Sequence, residues 1–373
     1  MDAPKIHPRA ANVSLGGKWV VDAPLIASHF NAPRLAVRAN GKPFEMIVDT
    51  GAFASLVSME LATASNADIR ATKLRSVNAG GNVRPAQGIA HFNALAVGAA
   101  TFYDVQAVIH DVTVLRTANE PIDGALGLSV FHDLLLTIDW PNSRLRMERG
   151  ELPPVNGRDV LPLRMDERGL PLVQIKIGSR QVWALIDTGY SLGLSLPASA
   201  KSNTPLASPA VQGPPVLYYG IGQRQAEQAR LAVDATIGWH VLAKPIVDLG
   251  VSNEQAILGA AYLRHFAITF DQQHGRVRFE RKETAAVQTP SIMGTGYYIH
   301  PKNDTILAVT PNSGADKAGL RVGDKLLTVD GVSLATYRLV GDVPRARQDE
   351  SVVTYLRSGQ TRSANVRIEV LID

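Results

Sequence analysis

The chain of 373 residues has no cysteine, which excludes disulfide staples and cysteine–zinc sites and leaves buried apolar surface to hold the fold. It has no run of eighteen apolar residues, so no membrane span is expected. Its nine histidines never take the His-Glu-x-x-His spacing, and it has neither a Gly-x-Ser-x-Gly turn nor a phosphate-binding loop. No metal site and no cofactor is expected. Long blocks of one charge are missing too: the net charge is +4, but basic residues are interspersed with acidic ones, so nucleic acid is not an expected partner. The opening Met1-Asp2-Ala3-Pro4-Lys5 does not read as a signal peptide.

What is present is enough apolar material for two or three cores, at 45% of residues. It is arranged in short runs bounded by Gly, Asn or Pro, which predicts a mainly β protein. Short helices are expected over 55–64 and 260–265. Linker composition appears at Gly150-Glu151-Leu152-Pro153-Pro154 and again over 281–290. These predict three units, over 1–150, 151–281 and 290–373.

The triplet Asp-Thr-Gly occurs twice, as Asp49-Thr50-Gly51 and Asp187-Thr188-Gly189, each time closing an apolar run. The copies belong to a repeat. At the offset 187 − 49 = 138, the hairpin signal around Asn40-Gly41 faces that around Gly178-Ser179. At 259 − 127 = 132, Leu126-Gly127 faces Leu258-Gly259, and Leu136-Thr137-Ile138-Asp139 faces Ile268-Thr269-Phe270-Asp271. The halves are duplicates differing by about six residues of loop, which reads as a pseudo-two-fold pair of lobes. Two carboxyls at contact distance cannot both ionise, so one stays acid while the other serves as base. Gly51 and Gly189 leave backbone N–H groups unobstructed beside them.

Each half resembles a retropepsin-type aspartic protease subunit, and the fused pair resembles a single-chain pepsin-like enzyme over roughly residues 30–281. The resemblance implies a bilobal acid-protease fold with Asp49 and Asp187 as the catalytic dyad. It implies that the Thr50 and Thr188 hydroxyls cross-bond the opposite turn, and that Gly127 and Gly259 pass under the catalytic turns. The sequence departs from the pepsin pattern where a Ser or Thr usually follows the glycine. Ala52 and Tyr190 stand there, which predicts a less acidic dyad, with Tyr190 half-buried beside its turn. Candidate flap tips are Gly80 and Gly81 in the first lobe and Gly220, Ile221 and Gly222 in the second; each is equally a plain glycine-rich hairpin.

The third unit is similar to a PDZ domain through Val309-Thr310-Pro311-Asn312-Ser313-Gly314-Ala315, Ala318-Gly319-Leu320 and Asp330-Gly331. It reads as a strand, a helix capped by Ser313 and stopped at Gly319, and a strand ending in a tight turn. The resemblance places the carboxylate loop and groove strand at Gly294, Gly296, Tyr297, Tyr298 and Ile299, where a peptide C-terminus would add to the sheet edge. The helix that should wall the groove falls over 337–346, which contains Gly341 and Pro344, so a purely docking PDZ stays open.

The expected activity is an aspartic endopeptidase acting on extended protein or peptide substrates, with the PDZ domain recruiting or regulating. The competing expectation is an inactive scaffold that holds a partner with the same surfaces. The architecture implies a periplasmic or secreted location.

Overall fold

Each lobe grows from the hairpin whose second strand ends in the Asp-Thr-Gly triplet. In the computed structural model, which describes residues 8–28, 31–77, 83–112, 115, 120–218, 222–252, 255–300, 303–334 and 349–373, strand Arg34–Ala39 pairs antiparallel with Lys42–Asp49. The turn between them is Asn40-Gly41, both residues left-handed at φ 46° and 84° as a two-residue hairpin requires. Pro171–Ile177 and Arg180–Asp187 form the matching hairpin of the second lobe.

The triplet strand of each lobe then accepts a parallel partner from much later in the chain. Gly124–Gly127 lies beside Lys42–Asp49 with Gly127 opposite Asp49, and Ala256–Gly259 lies beside Arg180–Asp187 with Gly259 opposite Asp187. All residues of both partner strands are buried, as expected of strands covered on both faces. A methyl group on Gly259 would fall 2.4 Å from the Leu192 carbonyl oxygen, so this close crossing needs glycine. Of the helix expected over 55–64, only Met59–Ala64 is helical, with Ser58 as its cap. Ser55–Val57 is a strand, because Ser55 and Val57 both point inward and the segment pairs in parallel with Ala107–Ile109.

The lobes join through six strands at one end of a larger sheet. Leu135–Asp139 and Ala267–Asp271 pair antiparallel at the centre of the six, with Thr137 facing Thr269 and their hydroxyls 2.9 Å apart. On one side follow Arg144–Glu148 and Val20–Pro24, on the other Arg276–Glu280 and Val160–Met165. The offset 269 − 137 = 132 puts the pseudo-two-fold axis through this threonine pair. One apolar core, including Phe131, Leu136, Phe266 and Phe270, runs through both lobes.

The C-terminal module has its own core, including Ile306, Leu326, Val353 and Val366. Ser313 caps the helix Gly314–Lys317, Gly319 follows it at φ 76°, and Asp330-Gly331 turns at φ 51° and 77°. Residues 335–348, which contain the expected groove helix, lie outside the described residues. The segment read as a linker over 281–290 is partly built into the second lobe. Val287–Gln288 pairs in parallel with Leu242-Ala243, Val287 is buried, and Thr289 meets the Tyr262 hydroxyl at 2.9 Å. An apolar side chain at Val287 favours packing over solvent, which composition alone did not reveal. The module also touches the second lobe directly: the Thr310 hydroxyl donates to the Gln212 carbonyl at 2.8 Å, and Arg230 donates to the Asp373 carbonyl. Among the described residues no helix is long and apolar enough to cross a membrane.

Candidate active site

Both triplets sit where a buried strand ends at the boundary between the lobes. The Gly51 N–H donates to Asp49 Oδ1 at 2.9 Å, and the Gly189 N–H donates to Asp187 Oδ1 at 2.9 Å. Asp187 receives one further donor, the Tyr190 N–H at 3.0 Å. The two turns are locked to each other by reciprocal bonds. The Thr50 N–H donates to Thr188 Oγ1 at 3.0 Å, and the Thr188 N–H donates to Thr50 Oγ1 at 3.1 Å. Each hydroxyl in turn donates across the interface, Thr50 to the Ile186 carbonyl and Thr188 to the Val48 carbonyl, both at 2.5 Å. Both threonines are fully buried, so the four bonds act in a low dielectric and fix one geometry.

This lock brings each carboxylate onto the opposite glycine. A methyl group built on Gly51 would lie 2.3 Å from Asp187 Cγ, and one on Gly189 would lie 2.5 Å from Asp49 Cγ. The two carboxyls thus face each other across the junction, close enough for the charge of Asp49 to act on Asp187. Asp49 is buried, whereas Asp187 keeps partial access to solvent. Burial and then the charge of Asp49 push the Asp187 carboxyl well above the ordinary carboxylate range, while the Gly189 and Tyr190 N–H groups pull it back. Such a pair holds one proton between its members where isolated aspartates hold none, and it titrates as a unit.

Tyr190 is more deeply placed than half-buried. It is 8% exposed, and its hydroxyl donates to Asp248 Oδ2 at 3.0 Å. Asp248 was not singled out in the sequence; the one available signal is a carboxylate inside the apolar run Ile246-Val247-Asp248-Leu249.

The flap positions Gly80, Gly81, Gly220 and Ile221 lie outside the described residues, and Gly222 begins the strand Gly222–Arg230. The stems are described: Arg75–Val77 pairs with Val83–Pro85, and Val211–Tyr218 with Gly222–Arg230, both antiparallel. In the C-terminal module Gly294 ends a strand paired to Glu369, and Gly296 sits at φ 84° with no room for a side chain against Ser313. The strand Tyr297–Ile299 pairs on one edge with Ile306–Val309. A groove of about 350 Å³ runs along Thr295, Tyr297, Tyr298 and Ile299 over Leu326 and Val329, and its other wall is Pro214 and Pro215 of the second-lobe hairpin.

Comparison with known proteins agrees with this architecture. Residues 35–130 match the aspartyl protease family and residues 305–370 match the PDZ domain family. No curated protein is similar enough in sequence to count as a relative. Among solved structures, the crystal structure of Basic 7S globulin from soybean is similar at 16% identity, covering 72% of this chain and 95% of that chain, with a TM-score of 0.41. The chain thus combines an aspartyl-protease-family domain, which carries the Asp49 turn, with a C-terminal PDZ domain.

Proposed function

We propose that the protein is an aspartic endopeptidase whose catalytic pair is Asp49 and Asp187. The observation that carries this reading is the interlocked pair of turns, which sets each aspartate carboxyl against the glycine of the opposite turn at the junction of the lobes. Setting two carboxyls against each other costs desolvation free energy and leaves one of them protonated, which is the state an acid–base pair uses.

In the proposed reaction the ionised carboxylate takes a proton from a water between the aspartates, and the oxygen attacks the scissile carbonyl carbon. The protonated carboxyl gives its proton to the carbonyl oxygen as the tetrahedral diol forms. Collapse of the diol breaks the C–N bond: the proton first taken from water passes to the leaving amine, and one diol hydroxyl returns its proton to the other carboxylate as the new carbonyl forms. The Gly51 and Gly189 N–H groups keep the carboxylates oriented through the cycle. An extended substrate suits the site, because each lobe carries an antiparallel hairpin between its Asp-Thr-Gly turn and its downstream glycine, the place a closing flap would take.

The PDZ groove would receive a peptide terminus at the Tyr297–Ile299 edge. Because Pro214 and Pro215 wall that groove, we assign the PDZ domain a regulatory contact with the second-lobe hairpin in addition to recruitment. The test is cleavage of an unfolded protein, followed with and without pepstatin. Pepstatin-sensitive cleavage supports the enzyme; no cleavage, repeated with a physiological substrate, supports the scaffold reading.

A further inference from the structure

The lobes are duplicates, so a polar cluster found in only one of them calls for a reason. In the first lobe, the strand pairings run from Ala125 to Leu56, from Leu56 to Val108, and from Val108 to Ile89. The same pairings in the second lobe run from Ile257 to Ser195, Asp248 and Gln228. The residue three after the catalytic aspartate is Ala52 in one lobe and Tyr190 in the other. Four apolar positions, Ala52, Leu56, Val108 and Ile89, thus face four polar ones, Tyr190, Ser195, Asp248 and Gln228. The fold evidently forms without the polar set, and burying it costs desolvation free energy that the first lobe avoids.

Three of these four, Tyr190, Asp248 and Gln228, form a connected tie. Asp248 is 2% exposed, and its two oxygens accept from two neutral donors, the Tyr190 hydroxyl at 3.0 Å and the Gln228 amide at 2.6 Å. Tyr190 places its N–H on Asp187. Gln228 lies on the returning stem of the second-lobe hairpin, and a methyl group on Gly213 of the outgoing stem would fall 2.5 Å from Gln228 Cγ.

We propose that Asp248 is a positioning residue: through Tyr190 and Gln228 it ties the Asp187 turn to the stem of the second-lobe flap hairpin. The inference rests on the endopeptidase reading for its effect on rate, but not for its effect on Asp187 itself. Burial raises the Asp248 carboxyl to about 6, against the Gln228 and Tyr190 hydrogen bonds that lower it. The titratable groups that feel it are Tyr190, Tyr262 and, from the PDZ groove, Tyr298.

Two variants test the tie, Tyr190→Phe, which removes one hydroxyl, and Asp248→Asn, which removes the charge. Each is assayed for kcat and KM on an extended peptide, and Asp187 is titrated by carbon-13 carboxyl NMR in the unliganded protein. The expected result is a fall in kcat of roughly ten-fold with KM changed less than about two-fold, and a double variant no worse than the poorer single one. Asp187 should titrate higher than in the unaltered protein, because the Tyr190 N–H is no longer held on its oxygen. A Tyr190→Phe protein with unchanged kcat and an unmoved Asp187 titration overturns the proposal. If the unaltered protein cleaves nothing, the endopeptidase reading falls and the NMR titration alone decides the tie. Should Asp248→Asn fail to fold, Tyr190→Phe decides it.

Discussion

Replacing Gly51 by alanine is the smallest perturbation that acts on the dyad while leaving both aspartates in the sequence. The added methyl would stand 2.3 Å from Asp187 Cγ and 2.5 Å from each of its oxygens. Ordinary contact is about 3.5 Å, so the turn and the carboxyl must separate by about 1 Å. Neither has somewhere to go. Asp187 is held by two N–H groups, and the Gly51 turn is held by the reciprocal threonine bonds. A displacement of about 1 Å at reacting groups lowers the rate on the order of 100-fold. Overpacking of a locked site adds about 1–3 kcal/mol of destabilisation, which lowers Tm by several degrees in a chain of this size. The assay is kcat/KM on an extended peptide, with thermal unfolding measured in parallel. Gly189→Ala should behave alike, its methyl standing 2.5 Å from Asp49 Cγ. Wild-type kcat/KM in Gly51→Ala would refute the reasoning, since it would show that the carboxyls need not touch the opposite turn.

Thr50→Ala strips the acceptor from the buried Thr188 N–H and the donor from the Ile186 carbonyl; it should cost about 2–4 kcal/mol in denaturant unfolding and lower kcat with it. Thr137→Val leaves Thr269 unpartnered on the pseudo-two-fold axis and should destabilise by about 1–3 kcal/mol, whereas adding Thr269→Val should recover most of that loss in a double-mutant cycle. In the PDZ domain burial pushes the Asp324 carboxyl up, but the paired Arg357 bonds outweigh it and hold it below the ordinary value. A depressed carboxylate stabilises above its unfolded value of about 4 and loses that contribution as pH falls through the folded value, so acid unfolding of the PDZ domain should be steeper in the native protein than in Asp324→Asn.

The parts of the architecture legible in the sequence are those set by local or repeated patterns. Two turn residues, Asn40 and Gly41, suffice to announce a hairpin, and the 138 and 132 offsets announce a second lobe built like the first. Ser313, Gly319 and Asp330-Gly331 mark helix and turn boundaries because caps and positive φ depend on neighbours in the chain. What stayed hidden depends on register between distant strands. The Tyr190–Asp248 bond joins residues 58 apart, and Thr137–Thr269 joins residues 132 apart across the two lobes. Neither pairing can be read locally: Thr137 and Thr269 are ordinary strand residues, and nothing near Tyr190, which follows the Asp187 turn, points to Asp248. The helix expected over 55–64 overruns Ser55–Val57 because the partner of that strand, Ala107–Ile109, lies far along the chain. The wall that Pro214 and Pro215 give to the PDZ groove is likewise a contact between units, invisible to any reading that treats them separately.

The central claim is that one proton shared by Asp49 and Asp187 drives peptide hydrolysis. The most direct measurement is the cleavage rate of an unfolded protein by the native chain and by Asp49→Asn and Asp187→Asn, with folding checked by thermal unfolding. Each substitution keeps the shape of the side chain and removes half of the acid–base pair. The predicted result is pepstatin-sensitive cleavage by the native chain and loss of at least about three orders of magnitude in both folded variants. Full activity in either asparagine variant would contradict the mechanism.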